Sequence, residues 1–180
     1  MGLAFAIGIL WLFPPVLLQQ QKTPEIIFQR IEQTSGFDIL TSNLRVTKFN
    51  RTCAVLNGTV DLLVDLDNSY TFQGNLAYSR LGNNQFNMSP MKVPEDPMCD
   101  FLNDTYREYQ DVFEEKTNHP FIEPEGLCPF PAGLYWYKNL VVDGSKLPYD
   151  FEEGYYRVTI LITGVESTME LNVYLTLAWE

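Results

Sequence analysis

The chain has few side chains that could take part in acid–base or nucleophilic chemistry. His119 is its single histidine, so any Ser-His-Asp or Cys-His arrangement would depend on it. It lies beside Pro120 at the predicted end of a helix, where we expect a surface loop residue or a favourable contact with the helix dipole. The carboxylates fall on predicted solvent-facing sides of strands and helix rather than in a glycosidase-like pair. These residue types favour a protein that is not an enzyme and has no cofactor.

Cysteine chemistry is limited to three residues, which allow at most one disulfide within the chain. Cys99 opens a predicted helix and Cys128 precedes a proline-rich turn, so a Cys99–Cys128 bridge would tie these two elements together. Cys53 then remains either as a buried free thiol or as half of an intermolecular disulfide, which would form a dimer. The wide spacing of the cysteines matches no zinc-ligand pattern, so no metal site is predicted.

The first 21 residues resemble a signal for export. Leu3 to Phe13 is an apolar run of signal-peptide length, and Pro14-Pro15 would break a helix there. An uncleaved signal anchor spanning Gly2 to Leu18 is the alternative. We therefore predict a signal peptide over residues 1–21 and a single domain over residues 22–180.

Four Asn-x-Ser/Thr sequons support export, because such a set behind an apolar leader is typical of secreted glycoproteins. The least favourable is Asn87-Met88-Ser89, since Pro90 follows it directly. The predicted glycosylation sites are Asn50, Asn57, Asn103 and Asn87.

Net charge narrows the choice of partner. The chain carries 23 acidic and 12 basic residues, a formal charge of −11, and it has no cluster of Lys or Arg. Phosphate backbones and anionic membrane surfaces both require basic surface. The charge therefore disfavours nucleic acid and anionic lipid surfaces as partners.

Strand patterns dominate the sequence. The clearest is Met169 to Trp179, where every second residue is apolar, as in a strand with one buried face. Weaker versions of the same alternation predict five further strands: Ala54–Leu66, Tyr70–Leu81, Gln85–Val93, Leu134–Val142 and Gly154–Thr163.

One helix interrupts the strands. Asp96 as N-cap and Pro97 at the first helical position predict its start, and Asn118-His119-Pro120 predicts its end. Leu102, Tyr106, Tyr109 and Phe113 would form one apolar stripe along it. The predicted fold is mostly β: an antiparallel β-sandwich or cup of about seven strands with one helix.

Six aromatic residues fall at predicted inward-facing strand positions. Aromatic residues at such positions usually form the core of a sandwich. If the two sheets stand apart, the same side chains would line an apolar pocket. The candidate ligand-binding residues are Phe72, Tyr78, Tyr135, Tyr137, Tyr156 and Trp179.

Several short motifs, taken in order, resemble those of one insect family. They are Cys99-Asp100-Phe101-Leu102, the stretch from Asn118-His119 to Cys128-Pro129, Gly133 to Tyr137, Leu147-Pro148 and Gly154-Tyr155-Tyr156-Arg157. The likeness covers about residues 24–180. The family comprises secreted, largely uncharacterised proteins and includes the CheB-type chemosensory proteins. It is similar to the ganglioside-activator and ML lipid-recognition proteins.

This resemblance implies an ML-like cup that holds a lipid or another apolar small molecule between its sheets, without catalysis, in chemosensation. The second hypothesis is an interaction module of the same fold with a solid core, which acts on a receptor or channel. A continuous apolar cavity would favour the first hypothesis, and a filled core with an exposed apolar patch would favour the second.

Overall fold

The computed structural model describes residues 23–50, 53–146 and 151–179, so the predicted signal peptide over residues 1–21 lies outside the described residues. The described chain holds nine β-strands, a helical segment between the sixth and seventh strands, and a short 3-10 turn. The strands are β1 (Pro24–Ser35), β2 (Leu40–Ser42), β3 (Arg45–Lys48), β4 (Ala54–Leu62), β5 (Thr71–Ser79), β6 (Asn87–Pro97), β7 (Gly133–Leu140), β8 (Gly154–Thr163) and β9 (Thr168–Trp179).

The strands form two antiparallel sheets. The larger has the order β1-β9-β8-β5-β6. In the smaller, β4 lies in the middle, with β2 and β3 along one edge and β7 along the other. The predicted mostly β, antiparallel, sandwich-like fold is confirmed. The described residues contain nine strands rather than about seven, because three strands precede the first predicted one.

Strand β9 shows why the alternating pattern was informative. It pairs with both β1 and β8, and Met169, Leu171, Val173 and Leu177 are all buried on one face. Successive side chains of a strand point to opposite faces, so a single apolar face is buried against the second layer. The inward face predicted for this strand is confirmed at these four positions.

Strand β1 escaped prediction because its pairing with β9 is irregular. Phe28 pairs with Leu175 and Ile31 pairs with Val173, so an extra residue, Gln29, is inserted between them. Such a bulge shifts the alternation by one residue. Phe28 and Ile31 therefore share a face although they are three positions apart, and the sequence shows no period of two.

The helix begins later than the sequence predicts. Asp96 and Pro97 belong to β6 and pair with β5, and the helix starts at Met98. The prediction of Asp96 as N-cap is therefore wrong, because strand pairing takes up its backbone. The amide N–H of Cys99 instead donates to the Asn68 side chain over 2.9 Å, a capping contact from a distant loop.

The helical segment is not a regular α-helix. It is α-helical over Met98–Phe101, π-helical over Leu102–Tyr106, α-helical over Arg107–Tyr109 and 3-10 over Gln110–Val112. It ends well before Asn118, where the sequence predicts its end. A π-helical turn widens the helix locally and is frequent at functional sites.

The Cys99–Cys128 disulfide is confirmed. It joins the first turn of the helix to the loop before β7, and the two Cα atoms are 5.4 Å apart. Cys53 is a free, partly exposed thiol in the turn between β3 and β4. Within the described residues, no helix is both long enough and apolar enough to cross a membrane.

Candidate ligand-binding cavity

A cavity of about 430 Å³ lies between the two sheets and the helix. The larger sheet contributes side chains from β1, β5, β6, β8 and β9, and the smaller sheet from β2, β4 and β7. Its wall is formed by Ile31, Leu40, Leu44, Leu56, Val60, Leu66, Phe72, Val93, Met98, Phe101, Leu102, Thr105, Tyr106, Tyr109, Phe113, His119, Phe130, Tyr137, Leu140, Ile160, Ile162, Met169, Leu171 and Val173.

The wall is almost entirely apolar. No Asp, Glu, Lys or Arg is among the described residues that line it. The lining residues that carry side-chain nitrogen or oxygen atoms are Thr105, Tyr106, Tyr109, His119 and Tyr137, all on the side of the helix and β7. A large apolar chamber with a few polar groups on one side is typical of a small-molecule site.

The helix supplies one wall of this cavity. Leu102, Tyr106, Tyr109 and Phe113, the stripe that the sequence predicts, all line it. Tyr109 is also 40% exposed, so the cavity wall reaches solvent at this point. Phe101 of the helix stacks directly on Phe72 of β5, with the ring centroids 3.6 Å apart. The stack fixes the helix against the larger sheet.

A histidine and two tyrosines form the polar part of the wall. The Tyr106 hydroxyl lies 2.8 Å from Nδ1 of His119, and the Tyr137 hydroxyl lies 2.9 Å from Nε2. We call Tyr106, His119 and Tyr137 the His119 cluster. Its members come from the helix, the following loop and β7, so three separate elements are needed to build it.

The surroundings of the His119 cluster disfavour charge. The His119 ring contacts the rings of Phe113, Phe130 and Tyr135. Burial among them lowers the pKa of His119 to about 4, so the imidazole is neutral at physiological pH. Burial also raises the pKa values of Tyr106 and Tyr137, so both hydroxyls stay protonated.

The expectation that His119 is a surface loop residue or a helix C-cap is therefore wrong. The helix ends at Val112, and the chain then runs alongside β7, where Thr117 bridges to Tyr137. The Asn118 side chain accepts from the N–H of Trp136 over 2.7 Å and donates to the carbonyl of Leu134. These contacts turn His119 inward toward the cavity.

Two further amide side chains hold the same loop. Gln110 accepts from the Ile122 N–H over 2.9 Å and donates to the Ile122 carbonyl. Asn103 does the same with Leu127, accepting over 2.6 Å and donating over 3.3 Å. Each side-chain amide thus satisfies both the N–H and the C=O of one loop residue, as the backbone of a neighbouring β-strand would. Gln110 and Asn103 are visible in the sequence as polar residues within a predicted helix. Their hydrogen-bond partners could not be predicted, because they lie 12 and 24 residues away.

A second aromatic group lies at the other end of the larger sheet. Trp179 Nε1 donates to the carbonyl of Phe151 over 3.0 Å, Tyr156 donates to that of Glu152 over 2.7 Å, and Tyr78 donates to that of Glu153 over 3.0 Å. Three consecutive carbonyls are thus held by three side chains from β5, β8 and β9. We call Tyr78, Tyr156 and Trp179 the loop clamp.

Gly154 permits the close approach within the loop clamp. Its φ of +152° is one that side chains rarely adopt, and a Cβ there would lie 2.6 Å from the Tyr78 ring. The Tyr78 and Tyr156 rings pack with centroids 5.1 Å apart. Burial is the main reason that the pKa of Tyr156 is raised to about 12.

The structure divides the six predicted aromatic residues between these environments. Phe72 and Tyr137 line the cavity. Tyr135 is buried beside the His119 cluster, but its hydroxyl donates to the Pro131 carbonyl and it does not line the cavity. The remaining three, Tyr78, Tyr156 and Trp179, form the loop clamp. His119 and the helix tyrosines, Tyr106 and Tyr109, were not among the predicted site residues.

The four sequon asparagines also differ in environment. Asn50 and Asn87 are exposed. The amide of Asn57 is partly buried, donates to the Thr47 hydroxyl and exchanges hydrogen bonds with Asn139. The side-chain amide of Asn103 is hydrogen-bonded to the backbone N–H and C=O of Leu127. No group of three His, Cys, Asp or Glu side chains in the described ranges is placed to hold a metal ion.

Comparison with known families gives one match. Residues 72–158 match the profile of a family described as a protein of unknown function (DUF1091). No curated protein matches the chain. The matched region runs from β5 into β8 and contains the helix, the disulfide and the whole His119 cluster. Residues 72–158 of this chain therefore fit an uncharacterised protein family.

Proposed function

We propose that this protein is a secreted, non-enzymatic glycoprotein that holds a lipid or another apolar small molecule between its sheets. The observation that carries the proposal is the cavity of about 430 Å³ with its apolar wall. Ligand sites typically occupy roughly 300–1,000 Å³, and an apolar cavity of about 150 Å³ already binds benzene. Transfer of an apolar molecule from water into this space is favoured by the hydrophobic effect.

Three other features support the same proposal. The Cys99–Cys128 disulfide is compatible with an oxidising, extracellular location. The resemblance to CheB-type chemosensory proteins and to lipid-recognition proteins implies a carrier of apolar molecules in chemosensation. Exposure of Asn50 and Asn87 leaves room for glycans at these sequons.

The alternative is an interaction module that acts on a receptor or channel. This alternative requires a solid core. The cavity of about 430 Å³ instead supports the container, that is, a protein that holds an apolar molecule between its sheets. The partly exposed Cys53 leaves a disulfide-linked dimer as a separate expectation. Non-reducing electrophoresis of secreted wild-type protein and of Cys53→Ser would test the dimer directly.

Binding would be measured with the apolar fluorophore N-phenyl-1-naphthylamine, whose emission rises in an apolar site. Wild-type protein should bind it saturably, and the probe should be displaced by apolar compounds. Organic extraction of secreted protein, followed by mass spectrometry, should recover a bound apolar compound.

A pair of adjacent substitutions makes the test specific. Ile160 lines the cavity, whereas Leu161 points to the opposite face of β8. Ile160→Trp should reduce the cavity volume and weaken saturable binding. Leu161→Trp adds the same side chain and should bind as wild type does. Equal binding by both folded variants, or no binding by wild type, would contradict the container.

A further inference from the structure

The His119 cluster contains more hydrogen-bond donors than it uses. A neutral imidazole has one N–H and one bare nitrogen, and each tyrosine hydroxyl has one proton. The cluster therefore has three protons, but two hydrogen bonds join its members. One proton remains without an acceptor inside the cluster.

This excess does not depend on the tautomer. If Nδ1 carries the proton, it donates to Tyr106, Tyr137 donates to Nε2, and the Tyr106 proton is left over. If Nε2 carries the proton, the roles reverse and the Tyr137 proton is left over. A protonated imidazole would leave both hydroxyl protons over. In every state, the spare donor is a tyrosine hydroxyl.

The spare donor belongs to a residue that lines the cavity. Tyr106, His119 and Tyr137 all line it, and the Tyr137 hydroxyl lies deep in the protein. Among the described residues, neither hydroxyl has a hydrogen-bond partner other than His119. Buried polar groups are normally paired, and an unpaired donor costs free energy. A ligand in this cavity can provide the missing acceptor.

We infer that the ligand is an apolar molecule with one neutral hydrogen-bond acceptor, a ketone, aldehyde or ester, whose carbonyl oxygen accepts from Tyr106 or Tyr137. The inference rests on the proposed function, because it requires a ligand in the cavity. It adds the chemical class of that ligand and the end of the cavity where its polar group lies.

Other ligand classes fit this wall less well. A hydrocarbon fills the cavity but leaves the spare hydroxyl proton unpaired. An alcohol accepts the proton and brings another donor to a cluster that already has one in excess. A carboxylate carries charge into a wall on which the described residues include no Lys or Arg. A carbonyl oxygen supplies an acceptor and nothing else.

The test uses three nine-carbon competitors of similar shape: nonane, methyl heptyl ketone and nonanoate. Each is titrated against N-phenyl-1-naphthylamine bound to the full secreted protein. One hydrogen bond to the spare donor should make the ketone bind about five- to tenfold more tightly than nonane. The ketone should also bind more tightly than nonanoate.

The variant Tyr106→Phe/His119→Phe/Tyr137→Phe removes the donors together and nearly preserves side-chain volume. Replacing all partners of a polar group by apolar side chains is often close to neutral for stability. In this variant, the preference for the ketone should be lost and nonane should bind more tightly, because the buried carbonyl gives up its hydrogen bonds to water without a replacement. Tyr135→Phe is the matched control, because that hydroxyl donates to Pro131 outside the cavity, and it should keep the preference for the ketone.

Infrared spectroscopy of the bound ketone gives a second measurement. Its carbonyl stretch should lie at lower frequency in wild type than in the triple variant, because a hydrogen bond weakens the C=O bond. Should the triple variant fail to fold, the wild-type frequency is compared with that of the same ketone in an apolar solvent, and an unshifted stretch would overturn the hydrogen bond.

The outcomes separate this inference from the proposed function. If no compound displaces the probe and the probe does not bind, the container itself is wrong. If nonane binds as tightly as the ketone, or if nonanoate binds more tightly, the container stands and the ligand class is wrong. Persistence of the preference in the triple variant would also overturn the assignment of the donor.

Discussion

The His119 cluster and the loop clamp are built from the same kind of residue and use their polar atoms differently. In the loop clamp, each polar atom of Tyr78, Tyr156 and Trp179 donates to one backbone carbonyl of the loop at 151–153. In the His119 cluster, the two hydroxyls share one imidazole. The first arrangement holds the loop at 151–153, and the second leaves one donor without an acceptor on a residue that lines the cavity.

This difference shows how an aromatic residue on an inward face becomes structural or available for binding. A tyrosine whose hydroxyl is matched to a carbonyl of the protein has no hydrogen-bond capacity left for donation. A tyrosine matched to another donor-bearing group keeps a proton. Hydrogen-bond accounting, rather than burial, separates the two ends of this molecule.

The largest expected effect comes from the disulfide that ties the helix side of the cavity to the loop before β7. Cys99→Ala/Cys128→Ala should lower the free energy of unfolding by about 2–5 kcal/mol. Denaturant unfolding would measure the loss. Amide hydrogen exchange should increase more along Met98–Val112 than along β8. The disulfide anchors the helix, whereas β8, which carries Tyr156 of the loop clamp, is not joined to a disulfide.

Cys53→Ala is the matched control for this pair, because Cys53 forms no disulfide in the chain. A similar loss of stability in Cys53→Ala would contradict the distinction between the two ends. Retention of wild-type stability without the disulfide would contradict it as well.

The second effect is a pH dependence confined to the His119 cluster. The pKa of His119 is about 4 in the folded protein, against about 6.5 in an unfolded chain. Between these values the unfolded chain binds a proton that the folded protein does not. Stability is therefore full above about pH 6.5 and falls as the pH decreases toward 4, by up to about 3 kcal/mol.

Unfolding free energies of wild type and of the triple phenylalanine variant, compared at each pH, isolate this contribution. His119 is the single histidine, so the difference between the two proteins in this range belongs to it. Identical pH dependence in both would show that His119 is not buried as a neutral imidazole.

The third effect separates stability from binding. Tyr156→Phe removes the hydrogen bond to the Glu152 carbonyl and should cost about 1 kcal/mol of unfolding free energy. Because Tyr156 does not line the cavity, the affinity for N-phenyl-1-naphthylamine should stay at the wild-type value. A large change in probe affinity would show that the loop clamp takes part in binding.

The smallest effect concerns glycosylation. Asn87 is exposed on the edge strand β6, so Asn87→Gln should remove one glycan mass and change stability by less than about 0.5 kcal/mol. The Asn103 amide is held by the backbone of Leu127, so it should carry no glycan. Glycopeptide mass spectrometry would check both sites, and an occupied Asn103 would contradict the paired amide.

The sequence predicted the features that depend on local periodicity and on a small number of candidates. Alternation in Met169–Trp179 predicted the inward face of β9, and the helical spacing of Leu102, Tyr106, Tyr109 and Phe113 predicted the stripe that lines the cavity. With three cysteines available, their placement predicted the Cys99–Cys128 bridge. The bulged strand β1 lacked such a period and was missed.

The sequence by itself thus determined which faces are apolar, the class of the fold and the disulfide. Tertiary structure decided that His119 lies inside, that Trp179 binds a backbone carbonyl and that Tyr137 faces a cavity. The physical reason is that a face is set by neighbours a few residues away, whereas a polar atom is satisfied by whichever group the fold brings near. The partners of His119 are 13 and 18 residues away, and that of Trp179 is 28 residues away.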